Sequence, residues 1–100
     1  MNIYEGHISG DKPVIIDFCA EWCAPGKMME PILRELKEKV GEMITVLRVD
    51  IDKEPGLKKL YDIRTVPTLV IIKHGNVIWR KNGMASAHEI MEHINTALLT

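Results

Sequence analysis

Between Pro13 and Ile51 the hydrophobic period of the chain changes twice, and this change restricts the fold more than any other feature. "PVIIDF" (13–18) is short, β-branched and bounded upstream by Gly10-Asp11, which predicts a buried strand. From Ala24 to Val40 the apolar residues Met28, Met29, Ile32, Leu33, Leu36 and Val40 recur at three- and four-residue spacing. That is the stripe of an amphipathic helix, ended by Gly41. Pro31 lies inside it and is expected to kink it, because proline removes one backbone donor and crowds the preceding turn. "MITVLRVDI" (43–51) then alternates and predicts a second strand. Strand, long helix, strand is a βαβ unit, and its two strands must run parallel with the helix crossing one face.

The rest of the chain extends that sheet. "EPGLKKLYDI" (54–63) predicts a short helix with Pro55 in its first turn. "TLVIIK" (68–73) and "NVIWRK" (76–81) flank His74-Gly75, a hairpin signal. "SAHEIMEHINTALL" (86–99) predicts a closing helix with Ser86 as N-cap and Glu89 completing a capping box. Its apolar face is Ile90, Met91, Ile94, Ala97 and Leu98. The expected class is α/β, a mixed sheet with helices on both faces. One hundred residues without repeat or linker predict a single domain over 1–100, large enough for a core without disulfide or metal staples.

A formal net charge of −1 gives no electrostatic reason to expect nucleic acid or anionic membrane as a partner. No apolar run approaches the ~18 residues of a membrane span. The opening "MNIYEGHISGDKP" lacks the basic and apolar regions of a signal peptide, so a cytoplasmic home is expected. His7, His74, His88 and His93 share no ligand spacing with the cysteines, and no metal or resident cofactor is expected.

Two cysteines do not make a disulfide scaffold, so if they matter they matter chemically. Cys23 follows a strand and directly precedes a helix. A thiolate in such a place meets unpaired backbone N–H groups and the positive end of the helix dipole. Lys27 adds a cation one turn on. The competing reading is an inert small hydrophobe, as most free cysteines are. Asp17 interrupts "VIIDF"; a carboxylate buried among such neighbours has a raised pKa, as a proton acceptor near neutrality requires. Alternatively it closes a strand end by accepting loop N–H groups.

"VIIDFCAEWCAPGK" resembles the active-site region of thioredoxins, whose usual pattern is a strand ending in Asp-Phe-Trp-Ala and then Trp-Cys-Gly-Pro-Cys-Lys. Pro31, "VDIDKEPGL", "YDIRTVPTLVIIKHGNVI" and "GMAS" match the family in the same order, over about residues 12 to 100. The resemblance implies the thioredoxin fold. The lead-in is too short for the family's first strand and helix, so a four-stranded sheet is expected. It also implies that Cys23 is the nucleophile, that Asp17 is the buried proton acceptor, and that Val66-Pro67 is a cis bond against the active-site cysteine. Taken alone, an X-Pro bond would be expected trans. By the same resemblance Val66 offers its backbone to an extended partner peptide. Trp22, Ala24, Pro25, Gly26, Met84 and Ala85 rim the groove, with Gly83 allowing close backbone approach.

Two departures fall inside the motif. Gly26 stands where the family has its second cysteine, and Cys19 stands where it has a tryptophan. A dithiol protein uses its second cysteine to resolve the mixed disulfide formed by the first. With Gly26 that route is closed. Resolution is then expected from an external thiol such as glutathione, or from Cys19 if the strand-to-helix loop bends enough for a bridge. Otherwise Cys19 fills part of the space of the missing aromatic. The expected protein is a monomeric, monothiol redox protein acting on disulfides or modified cysteines of other proteins, with thioredoxin reductase or glutathione as further partners. The alternative is a redox-inactive module that keeps the peptide groove and binds without turnover.

Overall fold

Val14–Cys19, the first strand, is buried at every position, which happens only when both faces of a sheet are covered. A computed structural model describes residues 5–8 and 10–99. In chain order it has α1 (Glu5–Ile8), β1 (Val14–Cys19), α2 (Ala24–Val40), a single 3₁₀ turn (Gly41–Met43) and β2 (Thr45–Asp50). Then come α3 (Pro55–Leu60), β3 (Thr68–Lys73), β4 (Asn76–Asn82) and α4 (Ala87–Leu99). The strand order is β2-β1-β3-β4. β1 pairs parallel with β2 and antiparallel with β3, and β3 pairs antiparallel with β4. This is the expected mixed four-stranded sheet. Among the described residues only the four-residue α1 precedes β1.

The period of two in β1 sorts its side chains between two cores. Ile15 packs with Met29, Leu33 and Leu36 of α2 and with Ile90 and Ile94 of α4. Val14, Ile16 and Phe18 pack on the other face with Val49, Val70, Ile72 and Leu57 of α3. Asp17 and Cys19 therefore continue the row begun by Ile15, the row that α2 covers. This alternation places a carboxylate and a thiol on the face that α2 covers.

Several boundaries differ from expectation for local reasons. Met43, expected in the second strand, belongs to the 3₁₀ turn and is largely exposed, while Ile44 leads into β2 fully buried. α3 stops at Leu60 rather than Ile63, since Asp62 takes a left-handed φ of 50° that a helix does not continue through. α2 continues across Pro31 as one helix. His74 and Gly75, with φ of 53° and 79°, form the two-residue hairpin turn whose twist matches the strands.

Ser86 is the N-cap of α4: its Oγ accepts the Glu89 N–H at 3.1 Å. The reciprocal half of the capping box is replaced, because the Glu89 carboxylate accepts from Lys81 Nζ at 2.5 and 3.0 Å. Ser86→Ala therefore removes one cap bond and is expected to destabilise the chain by about 1 kcal/mol. Urea titration checks this; an unchanged midpoint would mean that the cap carries no net stability.

Candidate active site

The turn between β1 and α2 is closed by the Cys23 N–H donating to the Ala20 carbonyl at 3.1 Å. It delivers Cys23 in extended conformation (φ −94°, ψ 104°) to the N-cap of α2. A cap side chain accepts from the N–H groups of the first turn, and here a sulfur does so: the Gly26 N–H lies 3.3 Å from Cys23 Sγ. The same donor holds a negative sulfur as well as a neutral one. On its other side Cys23 Sγ is 3.3 Å from the Val66 carbonyl oxygen, to which the thiol donates. Val66-Pro67 is cis, as the resemblance implied. Gly83 N–H donates to the Pro67 carbonyl at 2.8 Å, tying this loop to the end of β4.

Cys23 is only 6% exposed, yet its surroundings are open. Trp22 is 70% exposed, with its indole N–H donating to Asp52 Oδ2 at 3.0 Å. Ala24, Pro25 and Met84 are also exposed, and Val66 is half-buried. Thus the nucleophile candidate, the cis-proline loop and the apolar rim meet at one end of the sheet. One expectation changes. Ala85 is not part of the rim but a core residue, packed with Ile90 and Ile94. Lys27 is exposed and lines a cleft that opens on Cys19.

That cleft, of about 440 Å³, is lined by Cys19, Ala20, Glu21, Lys27, Glu30, Arg48 and Asp50. It lies where the family pattern has an aromatic side chain and this chain has the smaller Cys19. Both cysteines are free thiols. Cys19 Sγ accepts from Arg48 Nε at 3.2 Å and donates to the Val49 carbonyl at 3.5 Å. Burial pushes the Cys19 thiol pKa up, against the pull of the Arg48 hydrogen bond.

Asp17 is fully buried. Neither of its carboxylate oxygens makes a hydrogen bond; the nearest cation, Arg48 Nε, stands 3.8 Å from Oδ2, an ion-pair contact rather than a bond. Desolvation raises its pKa to about 6, with Arg48 opposing. The alternative of a strand-end carboxylate satisfied by loop N–H groups does not hold. Arg48 is the functional candidate that the sequence reading missed. It sits opposite Asp17 in the parallel register of β1 and β2. Its other nitrogens reach Glu30 Oε2 at 2.8 Å and the Gly26 carbonyl at 3.4 Å. An arginine in mid-strand, within "TVLRVD", was the available signal, since a charge there needs a partner.

Gly26 lies against both cysteines. A Cβ built on it would lie 3.5 Å from Cys23 Cβ, 3.3 Å from Cys23 Sγ and 3.8 Å from Cys19 Cβ. Disulfides span Cβ separations of about 3.5–4.5 Å, so position 26 is at bridging distance from either thiol. Gly26→Cys is accordingly expected to let the oxidised chain form a bridge from position 26 to Cys23. Mass mapping should show that bridge even when Cys19 is replaced by serine; a double variant that keeps two free thiols under oxidant would contradict the geometry.

The family model for thioredoxin matches residues 2–96. A chloroplastic thioredoxin Y of Oryza sativa is 39% identical over 88 residues, covering 88% of this chain and 52% of the relative. A thioredoxin-like protein of Synechocystis is 36% identical over 93 residues, covering 93% of this chain and 89% of its own length. A thioredoxin of Rickettsia felis is 34% identical over 91 residues, covering 91% and 87%. The chain spans about half the length of the plant relatives and most of the bacterial ones. With its sheet order, its cis Val66-Pro67 bond and this match over nearly its whole length, the chain belongs to the thioredoxin family.

Proposed function

We propose that this protein is a thiol–disulfide exchange protein whose nucleophile is Cys23. The observation that carries this reading is the environment of Cys23 Sγ: it caps α2, accepts the Gly26 N–H and lies against the backbone just before the cis proline. The Cys23 thiolate attacks a disulfide of a partner protein. A mixed disulfide forms between Cys23 and one partner sulfur, and the other partner sulfur leaves as thiolate. The Gly26 N–H donates to the attacking sulfur at 3.3 Å and orients it at the start of α2.

The substrate is an extended protein segment. Trp22, Pro25 and Met84 present apolar surface near the sulfur, and the Val66 carbonyl lies 3.3 Å from it, which supports pairing of this backbone with a strand-like peptide. The relatives named thioredoxin support disulfide-bearing protein substrates, and a reductase of the thioredoxin type is a natural electron source. Among the described residues no helix is long and apolar enough to cross a membrane. The test is reduction of a protein disulfide such as that of insulin, by the native chain and by Cys23→Ser, with a dithiol as electron donor. Equal rates would leave a groove that binds peptides without chemistry.

A further inference from the structure

Gly26 closes the family's route for releasing the partner, yet the site holds a second sulfur. Resting on the reading of Cys23 as nucleophile, we infer that Cys19 is the resolving thiol, reaching Cys23 across the space that Gly26 leaves empty. Three observations carry this. The Cβ atoms of Cys19 and Cys23 both face the missing side chain of Gly26, at 3.8 and 3.5 Å from where its Cβ would be. A side chain there would press on both cysteines. Cys19 Sγ is held by a cation, Arg48 Nε at 3.2 Å, which favours the thiolate as it forms. Asp17, two residues back on the same row of β1, is a fully buried carboxylate without a hydrogen bond, in contact with the same Arg48 nitrogen. It is the available acceptor for the Cys19 proton.

The sequence of events balances without a bound cofactor. Cys23 thiolate attacks the partner disulfide, forming Cys23–S–S–partner and releasing one partner thiolate. The Cys19 thiol then gives its proton to Asp17. Its sulfur swings from Arg48 and the Val49 carbonyl toward Gly26 and attacks Cys23 Sγ. The Cys19–Cys23 bond forms as the Cys23–partner bond breaks, and the second partner sulfur leaves as thiolate. One substrate disulfide gains two electrons and the Cys19–Cys23 pair loses them. A dithiol reductant returns the pair to its starting state. The approach requires both sulfurs to leave their present partners, the Val49 and Val66 carbonyls, by rotation about χ1, and the Ala20–Cys23 turn, exposed at Glu21 and Trp22, to adjust. Arg48 and Asp17 act through Cys19 and are positioning residues.

The test uses the reduced full chain and a chromogenic aromatic disulfide, with released thiolate read by absorbance and the product by intact mass. The native chain is expected to release two equivalents per chain and to end two hydrogens lighter, with no adduct. Cys19→Ser is expected to stop at one equivalent and to carry a persistent adduct on Cys23; Cys19→Ala repeats the measurement if the serine variant fails to fold. Arg48→Gln is expected to slow the second release about tenfold relative to the first, a ratio that a merely structural role would not move. A native chain that keeps a single adduct on Cys23, or gains one on each cysteine, would overturn the inference while leaving Cys23 as nucleophile. No release at all would overturn the reading of Cys23, and the role of Cys19 with it.

Discussion

Cys23→Ser is expected to lower the rate of protein-disulfide reduction about a thousandfold, the scale on which loss of an enzyme nucleophile acts. Serine is a severe probe of chemistry and a mild probe of structure. Its hydroxyl occupies nearly the same place and can accept the Gly26 N–H that Cys23 Sγ now accepts at 3.3 Å. Serine is also a preferred N-cap, so α2 keeps its first-turn partner. Chemistry alone changes: an alcohol oxygen does not exchange with disulfides, whereas a cysteine sulfur does. Stability in urea is accordingly expected to stay within about 0.5 kcal/mol of the native chain. Insulin turbidity with a dithiol donor, run beside a urea titration, separates the two effects. Retention of more than a tenth of the native rate at unchanged stability would show that Cys23 does not carry the reaction.

The strands and helices of this site were legible in the sequence because each has a period. "PVIIDF" is short and β-branched and the α2 stripe recurs every three to four residues, so βαβ order and the placement of Cys23 at a helix start followed directly. The cis Val66-Pro67 bond was legible only through the family resemblance, since an isolated X-Pro pair favours trans. Arg48 was legible only as a mid-strand charge in need of a partner, not as the partner of Asp17. Its meaning depends on parallel register, which sets it opposite Asp17, and register is a tertiary fact that "TVLRVD" does not state. Ala85 was misplaced for a similar reason: its neighbour Met84 does face outward, and one residue further the chain has already turned into the α4 core. The space shared by Cys19, Cys23 and Gly26 needed coordinates, because positions 19, 23 and 26 converge only once the turn and the first helical turn are folded.

Asp17→Asn is expected to stabilise the folded chain at neutral pH by about 2 to 3 kcal/mol, and to do so in a pH-dependent way. In the folded state the Asp17 carboxyl titrates at about 6, against 3.8 for an ordinary aspartate, because burial opposes its charge more than Arg48 favours it. Between those two values the folded chain binds more protons than the unfolded chain, so stability falls as pH rises. Below pH ~4 the group is neutral in both states and no penalty exists; above pH ~6 the penalty is complete. Asparagine is neutral throughout and nearly the same shape, so the two chains should match in acid and diverge through the window from ~4 to ~6. Urea midpoints at a series of pH values measure this, and a constant difference between the chains from acid to neutral pH would show that Asp17 does not titrate there. The sign also bears on mechanism. A carboxylate with no hydrogen bond, held in the core at a loss of stability, has no structural reason to be charged. If its task is to take the Cys19 proton, the more stable Asp17→Asn chain should also be the slower one in releasing its partner, the usual opposition between stability and activity at a strained site.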